Sequence, residues 1–486
     1  MSTDTATPVR TGTADEPVAL DSAQGRWLLV AAVLGTGMAF LDATVINVAI
    51  RDVGTDLGAS LSELQWVINA YLLALASLIL VGGSLGDRLG RRRVFALGVA
   101  WFGVASVACA LAPNPEVLIA ARAVQGIGAA LLTPGSLAMM HGSFRPEDRA
   151  RSIGLWSGMS GISTILGPLI GGGLVQSVGW SAIFWMNVPI AAAIVVITVR
   201  YVPESRDAQA ARRFDVPGAV LGAVGLGAIT YALIEVGTRP VSTIAIAVFI
   251  GVVAMAAFAV SQRRPDPMVP PAIFRSRVFN ASNLLTLVVY GALTALTLLL
   301  VLQLQVVVGY DPLVAGVATL PVTLVMLLLS GRSAALASRI GPRPQMTVGP
   351  MLCAVGTGLL LGVDAGASYW IDVLPGLTLF AFGLTCLVAP LTATVLAAAP
   401  DRWAGIASGV NNAVARAGGL LAVAALPAAV GLGGTDYDDP IAFNAGYQAA
   451  MVVCAVLLLL GSLLGWIGLR GTGDERSLVV HPAASD

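Results

Sequence analysis

Lysine is missing altogether from these 486 residues, and charge of any kind is scarce: 27 arginines face 27 acids, so only 11% of the chain is charged. Soluble domains carry roughly a quarter charged residues, so this chain cannot cover an ordinary water-facing surface. A phosphate-binding loop of the G-x-x-x-x-G-K-[ST] type needs a lysine and is excluded. The two histidines, His141 and His481, lie far apart, which leaves no basis for a histidine metal or catalytic centre. Cys109, Cys353, Cys386 and Cys454 each sit singly in apolar surroundings, where cysteine acts as a small hydrophobe. Neither a disulfide nor a zinc site is expected, and metal ligands and cofactors are expected to be absent.

What is abundant is apolar sequence, 57% of the chain, with a mean hydropathy of +0.85. At roughly 20 residues per membrane-crossing helix, that is enough for about twelve to fourteen spans and leaves no room for a separate soluble catalytic domain. Apolar runs bounded by polar turns fall at 27–50, 64–83, 94–112, 117–140, 152–176, 180–202, 217–235, 240–261, 278–308, 312–331, 345–363, 371–397, 404–430 and 445–469. The expected fold is therefore an all-α polytopic membrane protein of fourteen spans. The acidic residues before Trp27, and the lack of an A-x-A site after the first apolar run, mark that run as a retained span rather than a signal peptide.

An even number of spans puts both ends on one side, and arginine placement orients them. Arg51 and Arg239 fall on the side opposite the termini, Arg122 and Arg416 lie deep, and all other arginines fall with the termini. Both termini are thus expected in the cytoplasm, in a cell membrane crossed many times. GSLGDRLGRR (83–92) repeats as AALASRIGPR (334–343), with Leu85, Arg88, Gly90 and Arg92 recurring as Leu336, Arg339, Gly341 and Arg343. The loop at Arg149 is echoed at Arg402. The expected organisation is a tail (1–26), a six-helix bundle (27–202), a linker with two extra helices (203–277), a second six-helix bundle (278–469) and a tail (470–486). Two such bundles facing each other are transporter architecture.

Four stretches carry a family resemblance. GSLGDRLGRRRVF (83–95) resembles the cytoplasmic loop signature of the major facilitator superfamily. LDATVINVAI (41–50), LIAARAVQGIGAA (118–130) and GLWSGMSGISTILGPLIGG (154–172) resemble the first-, fourth- and fifth-helix motifs of its fourteen-span drug:proton antiporter branch. The resemblance covers the whole chain, with departures at Ser163 (usually glycine), Arg51 (usually proline) and Ser338 (aspartate in the first repeat). It implies a proton-coupled exporter of small amphipathic compounds such as drugs, antibiotics or secondary metabolites, working by alternating access. Proton-coupled import of a small solute and a non-transporting membrane sensor are the alternatives, and the antiporter motif on the fifth span argues against import.

Ionisable groups in hydrocarbon are costly and mark function. At 1.5 Å per residue, Asp42 lies about 12 Å and Arg122 about 8 Å from the outer ends of their spans, while Arg416 lies about 18 Å from the inner start of its own. A carboxylate between arginines is held ionised until the cavity rearranges or a substrate intervenes. Asp42 is therefore the expected proton-coupling site and Arg122 its partner, as the resemblance also implies; an ion pair that merely locks helices is the alternative. Gly83, Asp87, Arg88, Gly90, Arg91 and Arg92 form the expected cytoplasmic gate, with Asp87 set to meet an arginine and, by resemblance, the start of span 13 near Ala404 and Gly405. Gly154, Gly158, Gly167, Pro168, Gly171 and Gly172 give span 5 a face for close helix contact with a kink at the proline. Trp66, Asn69, Tyr71, Gln125, Asn187, Gln303, Gln305, Asn412 and Arg416 are candidate cavity residues, and Glu235, in the extra pair, is expected to serve peripheral packing. Expected partners are a small-molecule substrate, protons and the bilayer, with no nucleic acid and no obligate protein; the proton gradient is the energy source and the protein is expected to be a monomer without enzymatic activity.

Overall fold

The computed structural model describes residues 17–206, 215–264, 267–400 and 403–470. The outer parts of both expected tails, and Arg402, lie outside them. Fourteen long helices follow one another up and down: α1 Ala23–Leu57, α2 Leu61–Leu89, α3 Arg91–Ala110, α4 Pro115–Ser143, α5 Pro146–Val178, α6 Ala182–Tyr201, α7 Val216–Ile234, α8 Val241–Ser261, α9 Arg277–Val306, α10 Pro312–Ile340, α11 Pro342–Gly362, α12 Tyr369–Ala397, α13 Ala404–Ala429 and α14 Pro440–Gly468. Thirteen are long and apolar enough to cross a membrane by the described residues alone; the other, α5, is a 33-residue helix with its apolar run at Leu166–Val178. Helix is what a bilayer demands, because every backbone polar group must be satisfied within the segment.

The helices outrun the apolar runs because charged residues near the interface continue the helix into the polar zone. Arg51 and Asp52 thus belong to α1 instead of a loop. Local sequence sets the ends. Ser60 and Glu63 form a reciprocal capping box at the start of α2, and Asn114 caps α4 with Pro115 in the first turn. The N-terminal segment is tied down before α1 begins: Val18 pairs with Ser143 and Arg145, and Leu20 N–H donates to Asp148 at 2.9 Å.

The internal repeat reappears in packing. Gly98 of α3 and Gly128 of α4 touch backbone to backbone, a methyl on Gly128 coming 2.9 Å from the Gly98 carbonyl. Gly349 of α11 meets Gly383 of α12 in the same way, at 2.8 Å. Gly98 and Gly349 stand at the same offset as Arg88 and Arg339, and small residues permit this approach of helix backbones. Of the extra pair, α7 packs along α2 and α13 while α8 packs on α7, and α8 turns Phe249, 69% exposed, and its other large apolar groups outward, as a lipid-facing helix does.

Candidate functional site

Asp42 lies near the middle of α1, and three other helices converge on it. On α4, Arg122 and Gln125 are one turn apart and share a face. Arg122 Nη1 donates to Asp42 Oδ2 at 2.6 Å, and Gln125 Nε2 donates to Oδ1 at 3.0 Å. The amide of Asn187, just past the break in α6, donates to the same Oδ1 at 3.0 Å. Ser106 of α3 accepts from Gln125 at 2.9 Å and from Asn187 at 3.4 Å, while Arg122 also donates to Gln125 Oε1. All five side chains are buried.

The guanidinium is packed as well as paired. Arg122 Nε donates to the Val67 carbonyl of α2 at 3.2 Å, and the group lies 4.4 Å from the Tyr71 ring centre and 5.7 Å from that of Phe184. Stacking on aromatic faces suits a weakly hydrated planar cation. Asp42 is thus paired with Arg122 alone among the described residues, while Arg416 stands over the Phe40 ring at 5.7 Å. Ser106, Phe40 and Cys109, whose thiol donates to Gln125 Oε1 at 3.7 Å, are not marked as site residues by the sequence, since nothing in their own neighbourhoods distinguishes them from helix packing.

The antiporter motif packs beside this centre. Gly167 abuts Thr44, and a methyl on Gly171 would come 2.6 Å from Val45 Cγ1, so α5 lies directly on the turn of α1 that follows Asp42. On its other side α5 meets the second bundle: a methyl on Gly172 would come 2.5 Å from Leu313 Cα, and one on Gly316 would come 2.6 Å from the Pro168 carbonyl. Gly154 has open space around it. Gly158 and Ser163 fall at positions whose surroundings lie outside the described set.

These α5–α10 contacts sit at the end of the bundle opposite the termini, and other bonds between the two bundles cluster there. Gln305 Nε2 donates to the Val48 carbonyl at 3.0 Å, and Arg51 Nη1 donates back to the Gln305 carbonyl at 2.8 Å. Gln65 donates to the Val423 carbonyl at 2.6 Å. The hydroxyl of Tyr437, in the loop before α14, donates to the Ala59 carbonyl at 2.7 Å, and burial pushes that hydroxyl's pKa up, which keeps it a donor. The far end is therefore sealed along three helix pairs.

At the other end, Asp87 holds Arg91 of the next helix, with Arg91 Nε donating at 2.9 Å. Gly90, at φ +117°, makes the corner, and a methyl there would strike the Glu204 carboxyl at 2.6 Å. Glu204 accepts from the Arg92 backbone at 3.1 Å and lies 3.8 Å from Arg92 Nε and 3.6 Å from Arg93 Nε. This carboxylate at the start of α3, where the helix dipole favours it, is a member of the gate region that the motif by itself did not disclose. Gly83 lies against Pro134, and Arg88 is engaged too. Of the expected docking of Asp87 on the start of α13 near Ala404 and Gly405, the surroundings of the Ala404 side chain lie outside the described set, and Gly405 is exposed with open space around it.

The remaining candidates scatter. Trp66 points away from the centre to the extra pair, its Nε1 donating to Glu235 at 3.2 Å beside Tyr231. Glu235 is buried at the end of α7, where it also accepts from Thr238 at 2.7 Å. Gln303 donates to the Val363 carbonyl and to Asn444 within the second bundle. Asn412 is exposed and bonds back to Ser408 of its own helix. Asn69 is fully buried, and neither polar atom of its amide has a partner among the described residues.

Comparison with known proteins decides the ancestry. The family model of the Major Facilitator Superfamily matches residues 32–423. The chain belongs to that superfamily. It is 35% identical over 457 residues to the puromycin resistance protein pur8 of Streptomyces alboniger, covering 91% of this chain and 90% of the relative. It is also 35% identical to the methylenomycin A resistance protein of Bacillus subtilis, covering 94% and 98%. Among solved structures, a POT peptide transporter in complex with sulfate aligns with a TM-score of 0.67 at 17% identity, over 94% of this chain and 98% of that one. A bacterial homologue of the lysosomal transporter Spinster, described as inward-facing and unoccupied, aligns at 0.63 and 16% identity, over 93% and 98%. At such identities the structures establish the fold alone: this is a multi-pass membrane protein of major facilitator fold.

Proposed function

We propose that this protein is a proton-coupled secondary exporter of small amphipathic compounds such as drugs, antibiotics or secondary metabolites. It works as a monomer in the cell membrane with both termini in the cytoplasm, without a cofactor and without enzymatic chemistry. The observation that carries the reading is the buried Asp42–Arg122 pair, whose α1 helix also bears antiporter motif contacts from α5. Relatives over nearly the full chain include puromycin and methylenomycin A resistance proteins, which supports export over import or sensing.

In this orientation the sealed far end is the external face, so the described conformation is closed to the outside. With the far end open, a proton arriving from outside neutralises Asp42, removes the ion pair and favours closure of that end; Gln125 and Asn187 keep the side chain in place. Neutralising Asp42 frees Arg122 and loosens the α1–α4 contact, and α5, packed on the next turn of α1, transmits the change to the seal at Gly172 and Leu313. Substrate enters from the cytoplasm or inner leaflet, and the proton leaves to that side.

The test is proton movement in inverted vesicles with an acidified interior. Addition of puromycin, or of other amphipathic compounds in turn, should dissipate the gradient in wild type and leave it intact in Asp42→Asn. A wild-type response that persists in the variant removes Asp42 from coupling; no response to any compound removes the exporter reading.

A further inference from the structure

Of the three deep charges, Arg416 is the one that the Asp42 network leaves out. It lies about 18 Å along α13 from the helix start, near mid-depth. It is half-buried, and its guanidinium faces Phe40 of the other bundle at 5.7 Å, so it occupies the seam between the two bundles. Among the described residues it forms neither an ion pair nor a hydrogen bond. A guanidinium keeps its charge at physiological pH, and at this depth an unanswered charge is costly.

A second orphan lies beside it. Asn69 of α2 is fully buried with both amide atoms unpartnered. The bond from Gln65 to Val423 and the contact of Leu80 with Gly409 fix α2 and α13 antiparallel. That register puts Asn69 opposite Gly419 and Leu420, about one helical turn from Arg416. A cationic fork over an aromatic face and, about one helical turn away, a buried unpartnered amide therefore fall along the seam between the bundles. A cation would find no comparable receptor, because both oxygens of Asp42 are taken by Arg122, Gln125 and Asn187.

We propose that Arg416 binds the carboxylate or phenolate of an amphipathic organic anion, with Phe40 against its apolar body and Asn69 supplying a further hydrogen bond. The proposal rests on the exporter reading and names the substrate class for it. The fork geometry of guanidinium matches a two-oxygen anion, and the neighbouring ring accepts the hydrophobic part.

The test uses the full chain in lipid nanodiscs with 1-pyrenebutyrate and its neutral methyl ester at pH 7.4, affinities being read from ligand-induced thermal stabilisation. Wild type should bind the acid at least about tenfold more tightly than the ester, the span of a charged hydrogen bond. Arg416→Gln should erase that preference and leave ester binding within about twofold, Arg416→Lys should keep part of it, and Asn69→Ala should weaken the acid only. A merely structural arginine would weaken both ligands together, and that result overturns the proposal. So does a wild type that binds the acid no better than the ester, a comparison that needs no variant to fold. Proton-coupled movement of the ester without acid preference would keep the exporter and discard this site; acid preference without coupled movement of either probe would do the reverse.

Discussion

Asp42 and Arg122, 80 residues apart in sequence, close to 2.6 Å with side chains 2% and 1% exposed. Removing one member of such a pair strands the other, a loss of about 3–5 kcal/mol in a low-dielectric site. Arg122→Gln should therefore lower the thermal unfolding temperature more than Asp42→Asn does, and the double variant should recover part of the loss. Equal temperatures for Arg122→Gln and the double variant would show that the stranded carboxylate is not what destabilises.

Gly172 and Gly316 permit α5 and α10 to touch at the far end. Gly172→Leu should wedge the bundles apart there without unfolding the protein, since neighbouring helices remain packed. Labelling of a cysteine placed at Val48 with a membrane-impermeant maleimide should rise several-fold when Gly172→Leu is added. Unchanged labelling would mean the contact is not part of the seal.

Arg51 stands where the first-helix motif usually has proline, and here its side chain reaches the Gln305 carbonyl at 2.8 Å. A hydrogen bond to a charged group contributes about 1.5–3 kcal/mol. Arg51→Ala should thus shift the conformational equilibrium away from the far-end-closed state, seen as a longer distance between spin labels on α1 and α9 at that end. An unshifted distance distribution would show that Gln305 and Tyr437 hold the seal without it.

The bond from Trp66 to Glu235 ties the extra pair to α2. Trp66→Phe keeps the ring and loses the N–H, so it should cost about 1 kcal/mol of stability while leaving substrate affinity within about twofold. A large selective change in affinity for one substrate would instead place Trp66 in the cavity.

Much of the architecture was legible because a bilayer reduces folding to apolar run length and arginine placement, and because four motifs lie on successive helices. Asp42 and Arg122 stood out since charge is rare at that depth. The rest required three dimensions. Ser106 looks like an ordinary polar helix residue until α3 brings it beside Gln125 and Asn187, and Glu204 sits outside the gate motif it clamps. Trp66 and Gln305 were grouped by residue type, whereas helix rotation alone decides that one faces α7 and the other α1.

Asp42 is the one carboxylate that the described residues hold deep within the first bundle, and that solitude sets an arithmetic ceiling on performance. With one proton carried per cycle, each 100 mV of driving force supplies about 2.3 kcal/mol, which sustains a concentration ratio of about fiftyfold for a neutral cargo. A singly negative cargo leaving a negative interior gains from the voltage a second time. Such a pump protects best against compounds that leak back slowly, and back-leak, more than binding strength, then decides which toxic compounds a cell bearing it survives.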